Sequence, residues 1–145
     1  MIGYLLDTDV VSLLALPSPH ENVATWFMTV DDHQLAISVL TLQELWKGVS
    51  RAQKAAKDPE GKLTAAVQGI MDAFQGRILP LEAEAAKQWG IQIGNQEKHV
   101  NDKGIAAIAA AHGVLLVTRN VKHMTGLGVD VLDPFISPAK LHKSS

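Results

Sequence analysis

The chain has 145 residues and a mass of 15.6 kDa, which is one domain's worth of polypeptide and long enough to bury about two-thirds of its unfolded surface without covalent staples. Hydrophobic residues at 47% and charged residues at 19% exclude a disordered chain, and the lack of cysteine excludes a disulfide scaffold, a thiolate zinc site and a cysteine nucleophile. A formal net charge of −2 and a pI near 6.3 exclude a chain that grips nucleic acid through its overall charge, so any such contact needs a local patch.

Ile2–Leu6 (IGYLL) reads as a short, fully apolar strand ended by Asp7-Thr8-Asp9. It is too short for a signal-peptide core and has no basic lead-in. No later stretch approaches the roughly 20 apolar residues of a membrane span, so the expectation is a cytoplasmic chain with no membrane partner. Val10–Leu16 is apolar and closes at Pro17. Ser18-Pro19-His20-Glu21 reads as a helix start, with Ser18 as the N-cap, Pro19 at the first helical position and Glu21 in the first turn. Val23, Trp26, Phe27 and Val30 follow at helical spacing. Gln34–Val39 reads as a second strand. Thr41–Glu44 opens a helix that runs to about Ala56, and Lys57–Gly61 is a turn. Leu63–Phe74 is helical. Ile78–Leu81 is a third strand, placed at an edge or an end by Pro80. Glu82–Gly94 and the Ala-rich Asn101–His112 are helices, the second closed by Gly113. Val114–Thr118 is a fourth strand and Val129–Leu132 a fifth. This order predicts one α/β domain over 1–135, with a parallel sheet covered on both faces, and a frayed polar tail over 136–145.

In such sheets ligands sit beyond the carboxyl ends of the strands. Asp7 follows the first strand, Glu44 opens the helix after the second, and Asp102 opens the helix leading into the fourth. Carboxylates gathered in a pocket repel one another unless a hard cation neutralises them, and Mg²⁺ or Mn²⁺ is the natural partner. Each acid also has a plain structural reading. Asp7 suits an N-cap, Thr41-x-x-Glu44 matches a capping box, and Asp102 suits the helix dipole. Thr118 and Asn120 offer a hydroxyl and an amide to orient a carboxylate or a water. Arg119, Lys122, Lys47 and Arg51 are candidates for RNA phosphates. His123 is a candidate ligand, whereas His99 and His112 read as structural or exposed. Trp26, Trp46 and Trp89 suit helix faces packed in a core or a subunit interface.

Tyr4–Val10, Ser38–Gly48, Asn101-Asp102-x-x-Ile105-Ala106-Ala107-x-Ala109 and Val117-Thr118-Arg119-Asn120-x-x-His123 together resemble the PIN-domain ribonucleases, and within them the VapC toxins of VapBC toxin–antitoxin systems. The resemblance runs to about Pro134. It implies a three-layer α/β/α fold with a parallel five-stranded sheet. It implies a Mg²⁺- or Mn²⁺-dependent endoribonuclease, homodimeric, and inhibited by a VapB-like antitoxin laid across the active site. Carried over by position, Asp7 and Asp102 are metal ligands. Glu44 is a ligand directly or through water and orients the attacking water. Thr118 and Asn120 support the site, Asn120 within the catalytic set. Family members usually place a fourth acid where this chain has His123, which implies a preference for Mn²⁺ or a need for high Mg²⁺.

Two other classes stay open at this stage. Asp7-Thr8-Asp9-Val10-Val11 fits the D-x-D-x-[T/V] pattern of haloacid-dehalogenase-like phosphatases, in which the first Asp is the nucleophile and the second the acid/base. A non-catalytic binding module is the other, with the missing fourth acid as its support.

Overall fold

The computed structural model describes residues 1–16 and 20–144. Leu5 and Leu6 show how the sequence makes its layers. Both are wholly buried, and neighbours along a strand point to opposite faces, so they enter different cores. Leu5 packs with Ala36, Leu116 and Val131 against Ala85, Ile105, Ala106 and Ile108. Leu6 packs with Leu35, Ile37 and Val117 against Val10, Val11, Val23, Trp26, Ile70 and Phe74. A sheet that is apolar on both faces needs helices on both. One layer is α1 (Thr8–Val11), α2 (Glu21–Phe27) and α4 (Lys62–Ala73); the other is α5 (Ala83–Ile93), α6 (Val100–His112) and α7 (Val121–Met124). The helix between α2 and α4 in sequence, α3 (Val39–Lys54), sends Val39 and Leu40 to one core and Leu42 and Leu45 to the other.

The sheet has six strands in the order β3-β2-β1-β4-β5-β6. They are β1 (Tyr4–Leu6), β2 (Leu35–Ser38), β3 (Ile78–Leu79), β4 (Leu115–Val117), β5 (Val131–Asp133) and β6 (Lys140–His142). The first five run parallel, as expected, and β6 is antiparallel to β5. The expected count of five is therefore corrected to six, within a segment read as a frayed tail. Lys-Leu-His carries no apolar run to announce a strand. It forms because β5 offers an open edge, with Val131 opposite His142 and Asp133 opposite Lys140.

From β1 the chain steps outward to β2 and β3, then returns to β4 on the other side of β1. The sheet therefore reverses direction between β1 and β4, where Leu6 lies beside Val117. A crevice opens beyond the strand ends at such a reversal.

Two helix starts differ from expectation. α3 begins at Val39 because Ser38, the last residue of β2, is its cap: Ser38 Oγ accepts from Thr41 N–H at 3.1 Å. The Thr41 capping box therefore does not form, and Glu44 is free for other contacts. α2 begins at Glu21 with His20 Nδ1 accepting from Asn22 N–H; the expected cap at Ser18 and Pro19 at the first helical position lie outside the described residues. α6 closes as expected at Gly113, whose φ of 65° is the left-handed conformation that glycine adopts without a Cβ penalty. No described helix is long and apolar enough to cross a membrane.

Candidate active site

Three groups of side chains meet beyond β1 and β4. The first is built on Asp7. Its backbone N–H continues the β1–β4 ladder by donating to Val117 O at 2.8 Å, which fixes the residue at the sheet's reversal point. Its side chain is 2% exposed and fully engaged: Oδ1 accepts from Thr8 N–H at 2.8 Å, and Oδ2 accepts from Thr118 Oγ1 at 2.7 Å. Asp7 is thus an N-cap for α1, as one of its two readings held, and is also the carboxylate at the bottom of the crevice. Thr118 Oγ1 in turn accepts from Asn120 N–H at 3.0 Å. Asp9, two residues on, accepts from Arg119 N–H at 3.0 Å and lies 3.4 Å from Thr118 Oγ1. The two aspartates therefore hold the loop after β4 from below. Burial, then the neighbouring Asp9 charge, pushes the Asp7 carboxyl up to about 7, against the lowering by Thr118 and the Thr8 amide; the Asp102 charge adds to the rise. Burial also raises Asp9.

The second group hangs from α3. Thr8 Oγ1 donates to Glu44 Oε1 at 2.8 Å and lies 3.0 Å from Thr41 Oγ1. Thr8 therefore joins Glu44 to the residue that follows Asp7. Glu44 is half-buried, one and a half turns into α3 rather than in its first turn.

The third group sits at the start of α6. Asp102 Oδ2 is 2.9 Å from His123 Nδ1 and 3.9 Å from His99 Nδ1, and the two imidazole rings stack with centroids 3.7 Å apart. Trp89 Nε1–H donates to Val100 O at 2.7 Å, so α5 pins the first residue of this helix. Asp102 is near enough to Asp7 for its charge to be felt there.

Of the remaining candidates, Asn120 is half-buried at the start of α7 and its side chain makes no cap. The Arg119 guanidinium lies 4.0 Å over the Phe135 ring, a cation–π contact that occupies its flat face. Lys47 is exposed on α3, one turn from Glu44, and makes no ion pair among the described residues. Trp26 is buried as expected, and Trp89 packs against the α6 core. Sequence reasoning missed Asp9, Thr8 and His99 as parts of this arrangement. Asp9 was weighed only as a phosphatase acid. His99 was readable from its i,i+3 spacing to Asp102, which puts both on one helical face.

The donor set suits a hard dication. Asp7, Asp9, Glu44 and Asp102 bring carboxylate oxygens to one end of the sheet; burial raises the Asp7 and Asp9 carboxyls, the Asp9 and Asp102 charges add to the rise at Asp7, and Arg119 partly offsets it at Asp9. Glu44 is joined to this group through Thr8. His99 and His123 add nitrogen donors that Mg²⁺ does not favour.

Comparison with known proteins agrees with this geometry. A VapC ribonuclease of Sinorhizobium fredii is 29% identical over 141 residues, spanning 90% of this chain and 96% of that protein. The crystal structure of FitAcB from Neisseria gonorrhoeae superimposes with a TM-score of 0.74 at 29% identity, over 91% of this chain and 98% of the other. DNA-bound VapBC from Salmonella typhimurium gives 0.73 at 26% identity, over 92% and 99%. The PIN domain profile matches residues 4–123, which runs from the first residue of β1 to the histidine bonded to Asp102. That span holds every carboxylate of the crevice, and the chain belongs to the PIN-domain family.

Proposed function

We propose that this chain is the toxin of a type II toxin–antitoxin pair and acts as a metal-dependent endoribonuclease. The observation that carries the reading is the Asp7–Thr118–Asp9 cluster, held at the reversal of a parallel sheet with Asp102 close enough to perturb it. The relatives support the rest: one is named a VapC ribonuclease, another is named the toxin FitB, and the matched crystal structures include VapBC and FitAB assemblies. Asp7, Asp102 and Glu44 would hold Mg²⁺ or Mn²⁺. The cation would supply an acidified water and stabilise charge on the phosphoryl oxygens. Glu44, aligned by Thr8, orients the attacking water. Thr118 keeps Asp7 turned toward the crevice, and Asn120 lines its mouth. Lys47, exposed on α3 one turn from Glu44, and Arg119, on the loop after β4, contact RNA phosphates. Hydrolysis by an outside water leaves a 5′-phosphate and a 3′-hydroxyl.

The partners on this reading are an RNA substrate, a VapB-like antitoxin that covers the crevice, and a second copy of the chain. Cleavage of a cellular RNA pool by the purified protein, with Mn²⁺, Mg²⁺ or chelator, tests it. Discrete products that need metal and vanish in Asp7→Asn are expected. Products ending in 2′,3′-cyclic phosphate would overturn the mechanism, because the RNA's own hydroxyl would then be the nucleophile. His123 in place of an acid predicts stronger activity in Mn²⁺ than in Mg²⁺, and equal activity at low concentrations of both would reject that preference. His123 also favours the binding-module reading, which predicts RNA or antitoxin binding without cleavage in any metal. The phosphatase reading asks Asp9 to move protons, whereas here its carboxylate is tied to the Arg119 amide.

A further inference from the structure

Two guanidinium groups in this chain lie over phenylalanine rings, and the fold uses them differently. Arg77 sits 4.9 Å over Phe74 and donates its N–H groups to the carbonyls of Asp32, Leu35 and Ala73, so it ties the start of β2 to the end of α4. Arg119 sits closer, 4.0 Å over Phe135, and is exposed. Its hydrogen bonds among the described residues are all made by its backbone, the N–H to Asp9 Oδ2 and the carbonyl from Val121 N–H. The first guanidinium is spent on the fold; the second is held in place with its donors unspent.

The ring beneath Arg119 is itself fixed. Phe135 is 9% exposed, its N–H donates to Asp133 Oδ1 at 2.9 Å, and its carbonyl accepts from Asn22 Nδ2 at 2.8 Å. The His20 ring meets it in a T-shaped contact, with centroids 5.1 Å apart. Asp133 is thereby occupied and makes no ion pair with Arg119 among the described residues. On its other side Arg119 touches the carboxylate crevice through Asp9, whose carboxyl its charge helps to lower against burial. The same residue lines the groove that holds Lys122, Lys140 and His142. A surface arginine gives up rotamer freedom when it grips a ligand, and a side chain ordered beforehand avoids that cost.

We propose that Phe135 is a positioning residue for RNA binding, its ring holding the Arg119 guanidinium ready for a backbone phosphate where groove and crevice meet. This deepens the nuclease reading and rests on its RNA substrate. A planar fork held in place matches the oxygens of a phosphate, which a lysine meets only as a point charge. Phe135 lies beyond residue 123, where the family match ends.

The test measures binding of a single-stranded RNA oligonucleotide to the full chain carrying Asp7→Asn, and cleavage by the chain with Asp7 intact. Phe135→Leu should weaken binding about 3- to 10-fold and raise KM by a similar factor, with kcat within about twofold. Phe135→Tyr, which keeps the ring, should restore most of the affinity. In an Arg119→Ala background, Phe135→Leu should change binding less than about 1.5-fold, because the group it positions is gone. A role confined to packing would instead weaken binding equally in both backgrounds. Phe74→Leu, which removes the ring under Arg77, should leave RNA affinity unchanged, and thermal melts confirm that each variant folds. RNA bound but uncut in every metal would remove the nuclease reading and not this contact. No RNA binding at low salt, affinity unchanged in Phe135→Leu, or an equal loss with and without Arg119 would overturn the proposal.

Discussion

Asp7 is under two opposed demands on the nuclease reading: burial favours its neutral form, and cation binding needs its charge. An unfolded chain ionises such a carboxyl near the ordinary 3.8, whereas in the fold it is pushed up to about 7. The stability that this residue contributes is therefore fully present below the unfolded value and is lost as pH rises through the folded one. That rise from 3.8 to about 7 corresponds to about 4 kcal/mol at most. In chelator, the chain should lose stability between about pH 4 and pH 8, and Asp7→Asn should flatten that slope and melt higher at pH 8. Urea unfolding across this range checks it; an Asn variant with the parent's slope would mean that Asp7 is not the group responsible. Added Mg²⁺ or Mn²⁺ should stabilise the parent more at pH 8 than at pH 5, because cation and proton compete for one carboxylate. Thr118 acts on the same atom. Thr118→Val removes the donor at 2.7 Å and the acceptor for Asn120 N–H, and should lower cleavage about 10- to 100-fold. Thr118→Ser should restore most of it, and failure of that rescue would point to packing rather than the hydroxyl.

Gly104 shows how the helices hold the site. It lies within α6, and a Cβ there would sit 2.5 Å from Leu40 Cδ1 and 2.8 Å from Trp89 Cε2. Alanine would gain about 1 kcal/mol in helix propensity, yet overpacking costs about 1–3 kcal/mol. The Leu40 methyl can rotate away, but the Trp89 ring is anchored by its bond to Val100 O. Gly104→Ala should therefore lower stability by about 1 kcal/mol, and should reduce cleavage as well, since any shift of Trp89 moves the start of α6 with Asp102. A variant as stable and as active as the parent would show that the α5–α6 contact yields freely. These elements also show what the amino-acid sequence discloses. Strands and helices were legible because the two-sided apolar runs such as Tyr4–Leu6 and Leu115–Val117 fit only a covered parallel sheet. Asp7 stood out at the end of the first strand, and Asp102 at the start of the helix that leads into the fourth. The Ser38 cap was hidden inside a strand end, so the Thr41–Glu44 pattern took its place. β6 was hidden because an edge strand of three residues has no periodicity to read, and its partner, not its own composition, makes it a strand.

At the scale of the whole molecule, charge distribution matters more than charge. The net value of −2 would repel RNA, yet Arg119, Lys122 and Lys140, with His123 and His142, line an open groove of about 460 Å³ in which Asp133 is the lone acid. The groove reaches His123 and so abuts Asp102. Its far wall is β6, which turns the C-terminal segment from a tail into part of this surface. On the nuclease reading a single strand enters here, its phosphates meeting the cations while the bond to be cut lies over the carboxylates. Each phosphate neutralised on a single strand contributes about −0.7 to the slope of log affinity against log salt. Binding of a single-stranded RNA to the Asp7→Asn protein, measured from low to moderate salt, separates affinity from cutting. Lys122→Ala and Lys140→Ala should each reduce that slope by about 0.7 and weaken binding for every sequence alike. A loss that varied with sequence would place these lysines at bases instead, and an unchanged slope would place the strand elsewhere, with Lys47 on α3 as the next cation to remove.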